Sequence, residues 1–220
     1  YATDNNSNTR NSNEFCFTVE NTPPEFHPPL LSGDSVQTNT SQNFTYQINC
    51  SDVDDEEITY YDNTTFFDIN ASGMINYLST EDQIGTHQIN ITCSDSYDNT
   101  SEILELTIRD TTKPEIDNKD LAGTKKRLTN VTFFINATDN GVGISNITFR
   151  WDDTNVQTEN ITQFDNESDI KHNVTLQINS TQGTTIKWNF TVIDADGNSE
   201  FIQGNNFVVV NSDPIVELIS

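Results

Sequence analysis

Apolar and polar residues alternate with a period of two through most of this chain. Phe44, Tyr46, Ile48 and Cys50 are separated by single polar residues and run into Ser51-Asp52, while Val131, Phe133, Ile135 and Ala137 keep the same phase and run into Thr138-Asp139. Further on, Ile89, Ile91 and Cys93 lead to Ser94-Asp95, and Ile186, Trp188, Phe190 and Val192 lead towards Asp194. Successive side chains of a strand point to opposite faces, so this alternation, bounded by Asp, Asn and Gly, predicts half-buried antiparallel strands. No helix-length stretch with a 3.6-residue period competes with it.

The same junction occurs three times. Phe15-Cys16-Phe17-Thr18-Val19-Glu20-Asn21-Thr22-Pro23-Pro24, Leu104-Glu105-Leu106-Thr107-Ile108-Arg109-Asp110-Thr111-Thr112-Lys113-Pro114 and Phe207-Val208-Val209-Val210-Asn211-Ser212-Asp213-Pro214 are each an alternating strand, a polar step and a proline. Proline lacks the donor a ladder needs and fixes φ, which suits the point where one sheet's last strand gives way to the next domain's first. The prolines lie 114 − 24 = 90 and 214 − 114 = 100 residues apart, the size of a small β-sandwich. The expected class is therefore all-β, with two tandem sandwiches of about seven strands each and extra strands at both ends. The boundaries fall at 1–22 (a polar segment and the last strand of a preceding or neighbouring domain), 23–110, 111–211, and 212–220 (the first strand of a following or neighbouring domain).

This pattern of strand, acidic turn, strand, Gly-Asn turn and proline-marked linker resembles the tandem immunoglobulin-like and cadherin-like modules of archaeal and bacterial surface and extracellular filament proteins. The run Cys50-Ser51-Asp52-Val53-Asp54-Asp55-Glu56-Glu57-Ile58-Thr59-Tyr60 looks like the acidic strand-turn-strand of cadherin-like modules, and Asp194-Ala195-Asp196-Gly197-Asn198 like the closing turn of bacterial immunoglobulin-like repeats. The resemblance implies Greek-key sandwiches used as spacers, stalks, adhesins, surface layers or filaments. It also places Cys50 and Cys93 on the second and penultimate strands, which face each other, so that they form a disulfide; two buried free thiols are the alternative. Ala137 and Val192 occupy the matching places in the second repeat. A disulfide implies an oxidising, extracytoplasmic location. Cys16 lies out of phase with Phe15, Phe17 and Val19 and is either a lone thiol or a partner for another domain or chain.

Composition narrows the function. Ten Lys and Arg against 34 Asp and Glu give a net charge of −24, a field that repels phosphate backbones and anionic lipid. No nucleic-acid partner and no membrane span are expected in this segment, and 13 Phe, 6 Tyr and 2 Trp supply core material. Trp151 and Trp188 read as core or rim residues, with sugar stacking by Trp151 as the alternative.

Sequons are abundant, at Asn5, Asn39, Asn43, Asn49, Asn63, Asn70, Asn90, Asn99, Asn130, Asn136, Asn146, Asn160, Asn166, Asn173, Asn179 and Asn189. With 29 Asn and 47 Ser or Thr in 220 residues, 29 × 47/220 gives about 6 by chance. Asn136 and Thr138 flank inward Ala137, and Asn189 and Thr191 flank inward Phe190, which puts both acceptor residues on the solvent face. N-linked glycans are one reading; a β protein rich in Asn and Thr, which writes this triplet on outward positions without any glycan, is the other.

Asp52, Asp54, Asp55, Glu56 and Glu57 leave one strand, and Asp95 and Asp98 leave its expected facing strand. Hard oxygens gathered on turns at one domain end suit Ca²⁺, and Asp139, Asn140, Asp194 and Asp196 hold matching places in the second repeat. The competing explanation is turn chemistry, since Asp and Asn bond their own backbone. Catalysis is not expected: His27, His87 and His172 are isolated, and no H-E-x-x-H, G-x-S-x-G or phosphate-binding loop occurs.

The expected function is a structural extracellular protein forming a stalk, surface layer or filament. Its partners are copies of itself or adjacent domains of a longer chain. Two readings of the ends stay open: residues Phe15, Phe17 and Val19, with Ile215 and Leu218, either belong to neighbouring domains of an array or complete neighbouring subunits head to tail by strand addition. Tyr1 to Asn13 carries no secretory signal, so export would require that one has been removed. The alternative function is an adhesin or carbohydrate-binding module with a Ca²⁺-dependent loop site at Asp52–Glu57 and Asp152–Asn155.

Overall fold

The computed structural model describes residues 2–3, 9–10, 20–30, 33–54, 57–153 and 156–211. Asn5, Phe15, Cys16, Phe17, Val19, Asp55, Glu56, Asn155, Ile215 and Leu218, with the whole of segment 212–220, lie outside the described residues. The elements are β1 (Ala2–Thr3), β2 (Thr9–Arg10), β3 (Glu25–His27), β4 (Ser35–Asn39), β5 (Asn43–Gln47), β6 (Asn49–Ser51), β7 (Thr59–Asp62), β8 (Met74–Leu78), a 3-10 turn at Glu81–Gln83, β9 (Gly85–Ser94) and β10 (Asn99–Arg109). They continue as β11 (Glu115–Gly123), β12 (Asn130–Thr138), β13 (Ile144–Asp153), β14 (Val156–Glu167), β15 (Asp169–Gln177), β16 (Thr185–Ile186), β17 (Trp188–Asp194), β18 (Ser199–Gln203) and β19 (Phe207–Val208). The expected all-β class holds. Among the described residues no helix is long and apolar enough to cross a membrane.

By contact the chain divides into two compact units, residues 1–34, 46–75 and 89–104, and residues 35–45, 76–88 and 105–220. In the first unit β3 pairs antiparallel with β6, with Phe26 opposite Cys50, and β7 pairs antiparallel with β9, with Tyr60 opposite Cys93. A disulfide joins Cys50 to Cys93 across 43 residues, with their Cα atoms 6.6 Å apart. It ties the β3–β6 ladder to the β7–β9 ladder around buried Phe26, Ile48, Ile75, Ile89, Ile91 and Leu104.

In the second unit β4 runs parallel to the end of β10, with Ser35 opposite Glu105 and Asn39 opposite Arg109. Residues 115–208 form two sheets, in the orders β11-β12-β15 and β14-β13-β17-β18, with a short β16-β19 ladder. β12 pairs with β15 and β13 with β17 rather than with their sequence neighbours alone, which is the Greek-key crossover of an immunoglobulin-like sandwich. The alternation read from the sequence is the burial pattern observed: β17 alternates buried and half-buried along its whole length, and Val131, Phe133, Ile135 and Ala137 of β12 are buried. Phe133 is the hub, its ring centroid 4.7 Å from that of Phe149, 5.0 Å from Trp188 and 5.7 Å from Trp151. Both tryptophans are core residues, at 5% and 2% exposure; Trp151 therefore offers no open face for sugar stacking.

Candidate metal centre

The strands that build the second sandwich also deliver three carboxylates to one place. β12 ends at Thr138 and releases Asp139; β17 ends on Asp194; Asp110 follows β10 in the linker before β11. One oxygen from each lies within 4.8 Å of the other two, and all three residues are buried, at 3%, 3% and 1% exposure.

Each acid is held by the turn it sits in. Asp194 closes the β17–β18 hairpin: its N–H donates to the Asn198 carbonyl at 3.0 Å, and its two carboxylate oxygens accept from Asn198 N–H and Asn198 Nδ2, each at 2.8 Å. Asp139 Oδ2 accepts from Gly143 N–H at 2.7 Å, and Gly143 sits at φ +82°, a region glycine enters at little steric cost. Asp110 Oδ1 accepts from Thr112 N–H at 2.8 Å and Oδ2 from Val142 N–H at 3.1 Å. Gly141 makes that possible, because a Cβ there would fall on Asp110 Oδ2. Asp196, expected among the ligands, instead accepts the Asp110 N–H at 2.7 Å and faces Arg109 at 3.7 Å.

One oxygen is left over. Asp139 Oδ1 is buried and has no hydrogen-bond partner. Burial, chiefly, pushes the Asp139 carboxyl above its ordinary range, with the nearby charges of Asp110 and Asp194 adding to it and the backbone N–H groups of Gly143 and Gly141 opposing it. At an effective dielectric constant near 20, two unit charges 4.8 Å apart repel by about 3 kcal/mol. A desolvated, all-oxygen cluster with a spare acceptor fits a hard divalent cation such as Ca²⁺, which takes oxygen ligands and would supply the missing positive charge.

The first-repeat acids do not gather into such a cluster, although Asp52 Oδ2, like Asp139 Oδ1, is buried without a hydrogen-bond partner. Asn21 Nδ2 donates to Asp95 Oδ2 at 2.8 Å and to Asp98 Oδ2 at 2.9 Å, while Asp95 Oδ1 accepts from the N–H groups of Tyr97 and Asp98. The Asn21 amide, with these backbone donors, holds the Asp95 carboxyl below its ordinary range. Asp54 Oδ2 accepts from Thr22 N–H, and Asp52 Oδ1 from Asp54 N–H. Among the described residues the acids within ligand distance of one another are Asp110, Asp139 and Asp194, and Asp52, Asp54, Asp95 and Asp98 do not form such a group. The other loop considered from the sequence is consumed internally: Asp152 accepts from Lys187 N–H, and Asp153 from Asn179 and Ser180 N–H.

Asp110 was missed by sequence reasoning, which placed it in the linker. Its signal is the repeat itself, since Asp110 stands four residues before Pro114 as Glu20 stands four before Pro24. Of the sequon asparagines among the described residues, Asn43, Asn63, Asn70, Asn99, Asn130, Asn160, Asn166, Asn173 and Asn179 are exposed, whereas Asn39, Asn49, Asn90, Asn136, Asn146 and Asn189 are partly buried.

No protein-family model matches this sequence, and no curated protein does. Solved structures match in fold. A three-domain titin fragment, I67–I69, superposes with a TM-score of 0.51 at 9% identity, over 86% of this chain and 66% of that one. The N-terminal four immunoglobulin domains of Dscam1 isoform 6.9 give 0.50 at 10%, over 89% and 47%. Human protocadherin-24 EC1-2 gives 0.42 at 13% over 87% and 99%, a superposition too loose to bear on the assignment. The chain thus has the tandem immunoglobulin-like fold and spans part of the length of the first two.

Proposed function

We propose that this chain is a structural or adhesive segment of an extracellular protein, made of tandem sandwiches at 23–110 and 111–211, in which Ca²⁺ bound by Asp110, Asp139 and Asp194 stiffens the 110–114 linker against the second sandwich. The observation that carries the reading is the buried three-carboxylate cluster with an unpartnered oxygen on Asp139. Asp110 belongs to the linker, Asp139 and Asp194 to the sandwich, so a cation that all three hold pins one to the other.

The wider role rests on other features. The Cys50–Cys93 disulfide suits an oxidising compartment, and exposed sequons suit a glycosylated surface. A net charge of −24 keeps an elongated assembly soluble. Stalk, surface layer and filament are the forms this reading favours, with copies of the chain or adjacent domains as partners and no catalytic role.

Limited proteolysis tests it. Ca²⁺ slows cleavage by a non-specific protease at 110–114 in the wild-type chain and leaves an Asp139→Asn variant unaffected; equal cleavage of the wild type in Ca²⁺ and in EDTA overturns the reading.

A further inference from the structure

Among the described residues Tyr61, Tyr97, Phe134 and Phe201 are exposed aromatic side chains. Tyr97 lies between β9 and β10; the other three stand on strands, each directly opposite a residue of a sequon. Tyr61 on β7 pairs with Thr92 of Asn90-Ile91-Thr92, and Phe201 on β18 with Thr191 of Asn189-Phe190-Thr191. Phe134 on β12 pairs with Asn173 of Asn173-Val174-Thr175. In the first two pairs the ring faces the hydroxyl residue, and Asn90 and Asn189 are partly buried. In the third the ring faces the asparagine itself, and Asn173 is exposed.

The surroundings of Phe134 are polar. β12 is the central strand of β11-β12-β15, so Phe134 is flanked by Asp120 on one side and Asn173 on the other. Along its own strand the outward neighbours are Thr132 and Asn136. Thr132 Oγ1 and Thr175 Oγ1 are hydrogen-bonded at 2.8 Å, which holds the ladder in register beside the ring. Phe134 is 38% exposed in this setting. A lone ring among polar side chains lacks the contiguous apolar surface that a protein partner needs. It does match a sugar, one of whose faces is lined by C–H groups that suit the negative face of an aromatic ring. Directly opposite Cβ atoms of an antiparallel pair are about 4.5–5.5 Å apart, so the first sugar on Asn173 Nδ2 reaches the ring.

Resting on the reading of this surface as glycosylated, we infer that Asn173 carries an N-linked glycan whose first sugar stacks on Phe134, covering the ring and bracing the β12–β15 ladder. In the linkage step Asn173 Nδ2 bonds to the anomeric carbon of the sugar. The bond from that carbon to the phosphate of a lipid-linked donor breaks, and the proton lost by Nδ2 leaves with the released phosphate. The exporting cell supplies the donor and the glycosyltransferase.

Peptide mapping of native material reads occupancy, and Asn173 is modified. Stacking is read on the whole chain secreted from a eukaryotic host, with its glycans trimmed enzymatically to a single N-acetylglucosamine. Urea unfolding followed at Trp151 and Trp188 compares the wild type, Phe134→Thr, Asn173→Gln and the double variant. The cycle gives a coupling of about fivefold in the unfolding equilibrium constant, and none when the same four chains are made without glycans in a bacterial periplasm. The ring protons of the sugar on Asn173 shift upfield in the NMR spectrum of the wild type and return in Phe134→Thr. Where Asn173→Gln fails to fold, Thr175→Val, which deletes the sequon and keeps the asparagine, takes its place. An unmodified Asn173 in native material whose other exposed sequons are modified overturns the inference and leaves the glycosylated surface standing. So does an occupied Asn173 with no coupling and unshifted sugar protons. Native material with no modified asparagine overturns the glycosylated reading itself.

Discussion

Asp139 is the residue on which the acidic cluster turns. Its folded carboxyl titrates above the unfolded one, so in the metal-free chain its contribution to stability is full below the unfolded value and is lost as pH rises through the raised folded value. Asp139→Asn keeps an acceptor for Gly143 and removes the buried charge. It should raise the metal-free melting temperature at neutral pH, flatten the decline with pH, and abolish any response to Ca²⁺, all readable by calorimetry across a pH series. Gly141→Ala, by driving a methyl group into the Asp110 carboxylate, should weaken Ca²⁺ binding at least tenfold, an energy of about 1.4 kcal/mol, with the far-ultraviolet spectrum unchanged. Asp139 and Asp194 were legible in the sequence because both end alternating strands. Asp110 was not, because its place depends on how the linker folds back over Gly141, a contact between distant residues that no local pattern encodes.

Strands were the most legible elements, since period-two patterning and burial are the same physical fact seen twice. β12 and β17 follow the sequence reading residue by residue, and so does the facing of Cys50 and Cys93. β13 was less readable. Its consecutive buried Ile147, Thr148 and Phe149, and the register shift between Ile144 and Asn146, break the alternation. Two element-scale outcomes follow. Replacing both Cys50 and Cys93 by Ala should cost about 4 kcal/mol in the chain-entropy model for a loop of 43 residues, seen as a lower denaturation midpoint in the wild type under reductant as well. Phe133→Ala, which empties the space between the rings of Phe149, Trp151, Trp188 and Phe207, should cost about 3–5 kcal/mol and lower the stability of the second sandwich, measured by urea unfolding followed at Trp151 and Trp188.

Over the whole molecule, the two repeats share a fold and differ in their fastenings. The first carries the disulfide; the second carries Ala137 and Val192 in place of the cysteines, the aromatic core around Phe133 and the acidic cluster. Fold class was legible from alternation and the proline-marked junctions, whereas the asymmetry of the fastenings emerges only when register sets the repeats side by side. If the surface is glycosylated, peptide mapping of native material should find Asn136, Asn173 and Asn189 modified; unmodified asparagines at all three would return the sequon excess to strand composition.

The most direct test of the cation reading is calorimetric melting of the wild-type chain in EDTA and in Ca²⁺ at one hundred times its dissociation constant. Binding to the folded state alone adds about 2.7 kcal/mol, which for a sandwich of this size raises its transition by roughly 10 °C, while Asp139→Asn melts at the same temperature in both. A wild-type transition that does not move between EDTA and saturating Ca²⁺ would contradict the account.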